Sequence, residues 1–353
     1  MSPFTHLCAR LCVLLALGAA PMAALADYVP PRNLSPDNGV MSLGSDIQDD
    51  AWLVYAYDVD LKGRVANPRV ISSNGVPTVE QAVLAKVSAM QFEPARRDGR
   101  AVGASADPVI FTWILDLPRE LSPAYREQWQ RAWALFREGN YDDAAREAEQ
   151  LGNMPGRNAL EEVKYRILAA SLDSRKGDWQ GELQHLQRAS AFQTLARTNQ
   201  FKNRYIEPDQ YLLILERIQA LQLEHMMLAD AGETLALIRE LGPDSQVASR
   251  AASAYADAEG RFNALPEVTT PGGLVAMYPG GPGVWKTGLS RETFSISDVQ
   301  GKVSAVYLVC DGRESRLDYP VQAPWRAPGN PDGCEIDIVG TTGTSLVLHQ
   351  YRQ

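Results

Sequence analysis

The sequence predicts an α+β, multidomain chain. It should carry a small ββαβ module, an α-helical solenoid and a C-terminal antiparallel β domain, in that order. Three observations predict this. Between residues 51 and 118, strand-like alternation surrounds one helical stretch. From 119 to 265, apolar residues recur at helical spacing almost without break. From 266 to 353, Gly and Pro become dense and two-residue alternation returns. A chain of 353 residues has room for such units, each with its own core.

The N-terminus reads as a targeting segment, residues 1–26. Arg10 is its only formally charged side chain, Leu11 to Leu25 is apolar, and Ala24-Leu25-Ala26 fits a small-x-small cleavage site. Cleavage between Ala26 and Asp27 is expected, which places the mature chain in the periplasm with no membrane span. Residues 27–50 are rich in Pro, Asn, Asp and Gly and read as an extended lead-in.

In the first module, WLVYAYDVD and RVANPRVISS are two strands hinged at Leu61-Lys62-Gly63, where glycine tolerates positive φ. Thr78 is expected to cap a helix carrying Val79, Ala82, Val83, Val87 and Met90. Pro94 and Asp98-Gly99 break the chain. Val109, Phe111, Trp113 and Leu115 then recur at a period of two, a strand with one buried face.

An ordered set of these residues resembles the C-terminal domain of the TonB family, the energy transducers of the Gram-negative envelope. It comprises Val59-Asp60, Gly63-Arg64-Val65, Val70-Ile71-Ser72-Ser73, the Ala82–Met90 helix, Phe92-Glu93-Pro94-Ala95 and Asp98-Gly99. The resemblance covers about a fifth of the chain. It implies that Val109 to Leu115 lies at a sheet edge and binds a segment of a protein partner, in that family an outer-membrane receptor, by strand addition; the alternative is that the following helices or a dimer partner cover this edge. The long Pro/Lys-rich spacer of the family is missing.

Ser122 and Pro123 open the helical region as N-cap and first-turn residues. Trp129, Ala132, Trp133, Leu135 and Phe136 form one face. Gly139-Asn140-Tyr141-Asp142 turns the chain, and Ala144, Ala145, Ala148 and Leu151 form the next face. Ala132, Leu135, Tyr141, Ala144 and Ala148 make this unit similar to a tetratricopeptide repeat. A second unit turns at Gly177, 38 residues after Gly139, where that family's period is about 34. Tyr211 to Leu228 with Gly232 to Leu241 reads as a third pair, and Asp244 to Phe262 as a terminal helix. Thr269 to Gly288 reads as a Gly/Pro-rich loop. Strands follow at Glu292 to Val299, Lys302 to Cys310, Cys334 to Val339 and Ser345 to Tyr351.

The net charge of −9 argues against nucleic acid and anionic lipid as partners. Cys310 and Cys334 are the only cysteines after residue 26 and are expected to pair, closing one end of the β domain. His185, His225 and His349 show no metal-binding spacing, no serine sits in a G-x-S-x-G elbow, and no phosphate loop is present. No catalytic residue, metal or cofactor is therefore expected. The aromatics Trp129, Trp133, Tyr141 and Trp179 read as packing residues, with a ligand groove as the alternative. The leading expectation is a non-catalytic periplasmic interaction or scaffold protein. The alternatives are a TonB-type energy transducer that keeps its N-terminal helix, and an envelope hydrolase with a site between solenoid and β domain.

Overall fold

The computed structural model of the chain describes residues 28–35, 50–97, 99–105, 109–115, 120–198, 200, 204–276, 281–310, 313–320, 324–327 and 331–352. The expected signal segment with Ala26 and Asp27, the middle of the lead-in, Asp98 and the Asp311-Gly312 turn lie outside the described residues. The chain is mixed α and β, and no described helix is long and apolar enough to cross a membrane.

The first unit contains β1 (Ala51–Val59), β2 (Val65–Ser73), α1 (Pro77–Ser88) and β3 (Val109–Trp113). β1 lies in the middle, antiparallel to β2 on one side and to β3 on the other. Leu53 and Tyr55 alternate onto the face covered by Val79, Val83 and Val87 of α1. The β1–β2 turn is held by Asp60, whose carboxylate accepts the backbone N–H of Lys62 and Arg64. Gly63 has φ +77°, and a Cβ there would meet Phe92 O at 1.8 Å. Phe92 N in turn donates to Gly63 O at 2.8 Å. The turn glycine and the Phe92-Glu93-Pro94 segment are thus one contact, and only a residue without a side chain fits it. Lead-in residues Arg32–Asn33 pair with Phe92–Glu93, and Tyr28–Val29 with Arg96–Arg97.

Thr78 does not cap α1. Val76 occupies that position and Pro77 starts the helix, because proline's fixed φ suits the first turn and its missing N–H is not needed there. Ser122 does precede the next helix, but its side chain makes no capping bond.

The helices are α2 (Pro123–Arg137), α3 (Tyr141–Asn153), α4 (Ala159–Lys176), α5 (Trp179–Thr198), α6 (Pro208–Glu224), α7 (Leu228–Leu241) and α8 (Gln246–Ala264). Each packs on the next, and α2 also meets α4, as α6 meets α8. α4 starts in a capping box, Asn158 with Glu161, and ends at Gly177 in the left-handed region. Small residues let the helices approach: Ala132, Ala144 and Ala148 are buried between α2, α3 and α4.

The last unit contains β4 (Glu267–Gly273), β5 (Gly283–Gly288), β6 (Thr293–Gln300), β7 (Val303–Cys310), β8 (Arg313–Leu317), β9 (Cys334–Gly340) and β10 (Ser345–Tyr351). One sheet runs β4-β10-β6 and ends on Trp325–Arg326. The other runs β5-β9-β7-β8, with Val275–Ala276 outside β5. Their inner faces bury Leu274, Phe294, Val306, Ile336, Ile338 and Leu348.

The stretch Thr269 to Gly288 is not one loop, since β4 and β5 lie within it. Its glycines are there for close approach: a Cβ on Gly272 would meet Trp285 at 2.7 Å, and one on Gly283 would meet Leu274 at 2.7 Å. Pro271 is tolerated because, among the described strands, β4 pairs on one side only, with β10. Cys310 and Cys334 face each other across β7 and β9, disulfide-bonded with Cα atoms 4.1 Å apart.

The β domain is locked onto the helices. The Arg291 guanidinium lies 4.4 Å over the Phe262 ring and donates to Phe262 O, Leu265 O, Pro266 O and Gln350 O. A buried cation at the carbonyl end of α8 is favoured by the helix dipole. Asp230 on α7 accepts from Thr287 Oγ1 at 2.7 Å and from Gly288 N. Burial, only partly offset by those donors, pushes its carboxyl up to about 6.

Candidate functional site

β3 pairs with β1 along its whole length, Val109 opposite Tyr55 and Trp113 opposite Ala51. No described strand pairs with its other edge. Val109, Phe111 and Trp113 pack toward α1 yet stay half-buried, whereas Leu53 and Tyr55 beside them are buried. Among the described strands, β1 is paired on both sides and β3 on one side only. The opposite edge of the sheet, β2, is blunted. It contains Pro68 and a bulge at Asn67, whose φ is +49°.

Leu115 is not part of the strand. Its N–H leaves the ladder and donates to Asp50 Oδ1 at 3.0 Å. Ile114 turns away from α1 and is buried in the core of the helical unit with Ala159 and Val163. The edge strand is thus tethered at its C-terminal end to the helices.

Asp50 and Asn74 carry that tether. Asp50 Oδ2 accepts from Ala159 N at the start of α4, a position where the helix dipole favours a carboxylate. Asn74 is 5% exposed. Its Oδ1 accepts Trp52 N at 3.1 Å, and its Nδ2 donates to Asp50 O at 2.9 Å and to Arg157 O at 3.1 Å. Gly156 N donates to Asn74 O. Neither residue stood out in the sequence, because both meet their partners through the backbone of segments far along the chain. A polar residue just outside each end of a strand is a weak signal.

A buried polar chain continues inward. Arg157 is 5% exposed and donates to Leu151 O and Met154 O at the end of α3, and through Nε and Nη2 to Glu162 Oε2. Arg166 Nε donates to Glu162 Oε1 at 2.7 Å. Burial alone would raise the Glu162 carboxyl, but Arg166 and Arg157 on its two oxygens outweigh it and hold it below the usual range.

Arg166 Nη1 lies 3.1 Å from His185 Nδ1. Guanidinium can only donate, so Nδ1 accepts and the neutral ring carries its proton on Nε2, toward Asp173 Oδ2 at 3.6 Å. Burial, then Arg166 and Arg188, push His185 down to about 3, while burial and Asp178 push Asp173 up to about 6. Through Arg157 the network fixes the Gly156-Arg157 loop that grips Asn74.

A second surface is a groove of about 550 Å³ with α6 as floor and α5 and α7 as walls. Leu215 and Ile218 lie at its base, and Ser190, Thr194, Gln222 and Thr234 line its sides. Tyr211 OH bonds Ser190 and Thr194, and Thr234 Oγ1 donates to Gln222 Oε1.

The aromatics read as packing residues do pack. Trp129, Trp133, Phe136 and Tyr141 run edge to face against the α2–α3 core, and Trp179 stacks on His225 at 3.6 Å. No cluster of three metal-type side chains occurs among the described residues. The chain matches no family model and no curated protein.

Proposed function

We propose that this chain is a periplasmic protein-interaction scaffold of the Gram-negative envelope. It takes an extended segment of a protein partner, such as the periplasmic part of an outer-membrane receptor, as an added strand beside β3. The observation that carries the reading is the one-sided pairing of Val109–Trp113 on a support tied down by Asp50, Asn74 and Ile114. Strand addition draws on main-chain donors and acceptors and needs few particular side chains. A rigid edge strengthens it, because less ordering is left for the moment of binding. The resemblance of residues 52–117 to the TonB C-terminal domain supports the same role. The α5–α7 groove is the second docking surface.

Proline scanning tests it. Successive residues of a strand direct their N–H to opposite edges, so one of Thr112→Pro and Trp113→Pro removes an outward donor and the other a donor to β1. In a crosslinking pull-down from the envelope, the outward variant should stay folded and lose the partner. Retention of the same partner by both variants would refute strand addition.

A further inference from the structure

The outward face of the β4-β10-β6 sheet carries a line of three side chains from three neighbouring strands. In register, Glu267 lies opposite Tyr351 and Ser297 opposite Val347, so the two flank His349 on opposite diagonals. Diagonal neighbours on one sheet face are within reach of a glutamate or a histidine. Ser297 Oγ is 2.6 Å from His349 Nε2, and His349 Nδ1 is 2.5 Å from Glu267 Oε1. The His349 side chain is 18% exposed and that of Glu267 43%. A carboxylate only accepts, so Nδ1 carries a proton, and in the neutral ring the Nε2 lone pair faces the hydroxyl. Hydroxyl, imidazole and carboxylate therefore stand in the order that activates a serine.

The backbone beside Ser297 is unusual too. The β6–β10 register slips by one residue between Ser297 and Gln300, and Asp298, within that bulge, has φ +50°. Bulges and left-handed non-glycine residues gather at functional sites, where they re-aim a side chain.

We propose that Ser297, His349 and Glu267 form a hydrolytic site for small carboxylic esters, an activity beyond the scaffold reading. His349 Nε2 takes the Ser297 proton as Oγ bonds to the ester carbonyl carbon. The tetrahedral intermediate collapses, the C–O bond to the alcohol breaks, and His349 returns its proton to the departing alkoxide. Water then repeats the sequence on the acyl-serine and releases the acid, so no oxidant or reductant is involved. Glu267 is a positioning residue that holds the tautomer. The site lies on an open sheet face, so it suits a small acyl group with a good leaving alcohol. Asp298 Oδ2 is also 2.7 Å from Ser297 Oγ and competes with His349 for the same proton.

The test is labelling of the intact protein with a fluorophosphonate, mapped by peptide mass, alongside turnover of p-nitrophenyl acetate. Label is expected on Ser297 and absent in Ser297→Ala. His349→Asn should slow labelling about 100-fold, the usual worth of a general base. Glu267→Gln should slow it about tenfold, less than the roughly 10⁴-fold loss in buried serine triads, because the Glu267 side chain is 43% exposed and solvent screens it. Asp298→Gly, which keeps the positive φ and removes the rival acceptor, should speed it several-fold. Absence of label on Ser297, or equal labelling of wild type and His349→Asn in folded protein, would overturn the proposal. Ser297→Ala should still capture the partner at β3, so failure here leaves the strand-addition reading separately testable.

Discussion

Asn74→Ala should loosen the support under β3. The substitution deletes three side-chain hydrogen bonds in a buried setting. Trp52 N loses its acceptor, and Asp50 O and Arg157 O each lose a donor. Each buried bond contributes about 1 kcal/mol net, and an orphaned buried N–H costs about 1–3 kcal/mol. The sum is roughly 3–4 kcal/mol, a large part of the 5–15 kcal/mol typical of a folded domain. Urea denaturation followed by tryptophan fluorescence measures it. Trp52 and Trp113 lie on β1 and β3, while Trp129 and Trp133 lie on α2. The predicted result is a lower midpoint, with the amides around Leu115 exchanging faster in native conditions. A loss below about 1 kcal/mol would show that the Asp50–Asn74 tether does not hold the edge.

Further outcomes follow from the same structure. Reducing Cys310–Cys334, or replacing both by serine, removes a closure spanning 24 residues in sequence; it should cost about 3 kcal/mol and lower the melting temperature of the β domain in calorimetry. Gly63→Ala should cost roughly 3 kcal/mol or more in chemical denaturation, since strain at positive φ adds to the Phe92 contact. Gly139→Ala shares the positive φ but meets nothing within 4 Å, and should cost only about 1–2 kcal/mol. Asp230 titrates near 6 when folded against an ordinary 3.8, so the folded chain binds more protons between those values and this group's contribution falls as pH rises through them. Asp230→Asn should therefore gain melting temperature on wild type at pH 8 relative to pH 4, and an equal difference at both would contradict the assignment. His185 acts with the opposite sign: its folded value near 3 lies below 6.5, so its contribution is lost as pH falls from 6.5 toward 3.

Elements that announce themselves locally were legible in the sequence. The β1–β2 hairpin, α1, the helical run and the strands at 303–310 and 345–351 follow from short-range periodicity and from Gly63, Gly139 and Gly177 at turns. The cysteine pair was legible because no other pairing was available after residue 26. Contacts made at long range were not legible. Asp50 meets Ala159, Asn74 meets Arg157, and Glu267 meets His349. Periodicity reports which face a residue occupies, not which distant strand shares it. β4 and β5 were obscured for another reason: glycine and proline usually mark turns, yet here glycines admit Trp285 and Leu274 between strands. Leu115 continued the alternation of β3, but Asp50 captures its N–H and ends the strand at Trp113.

The openness of one edge of β3 is best tested by amide hydrogen exchange resolved to single residues across 109–113 in the isolated protein. Alternating behaviour is predicted, with amides bonded to β1 protected and the intervening ones exchanging almost freely. Uniform protection of all five would mean that another segment or a second copy already covers the edge, and would contradict strand addition.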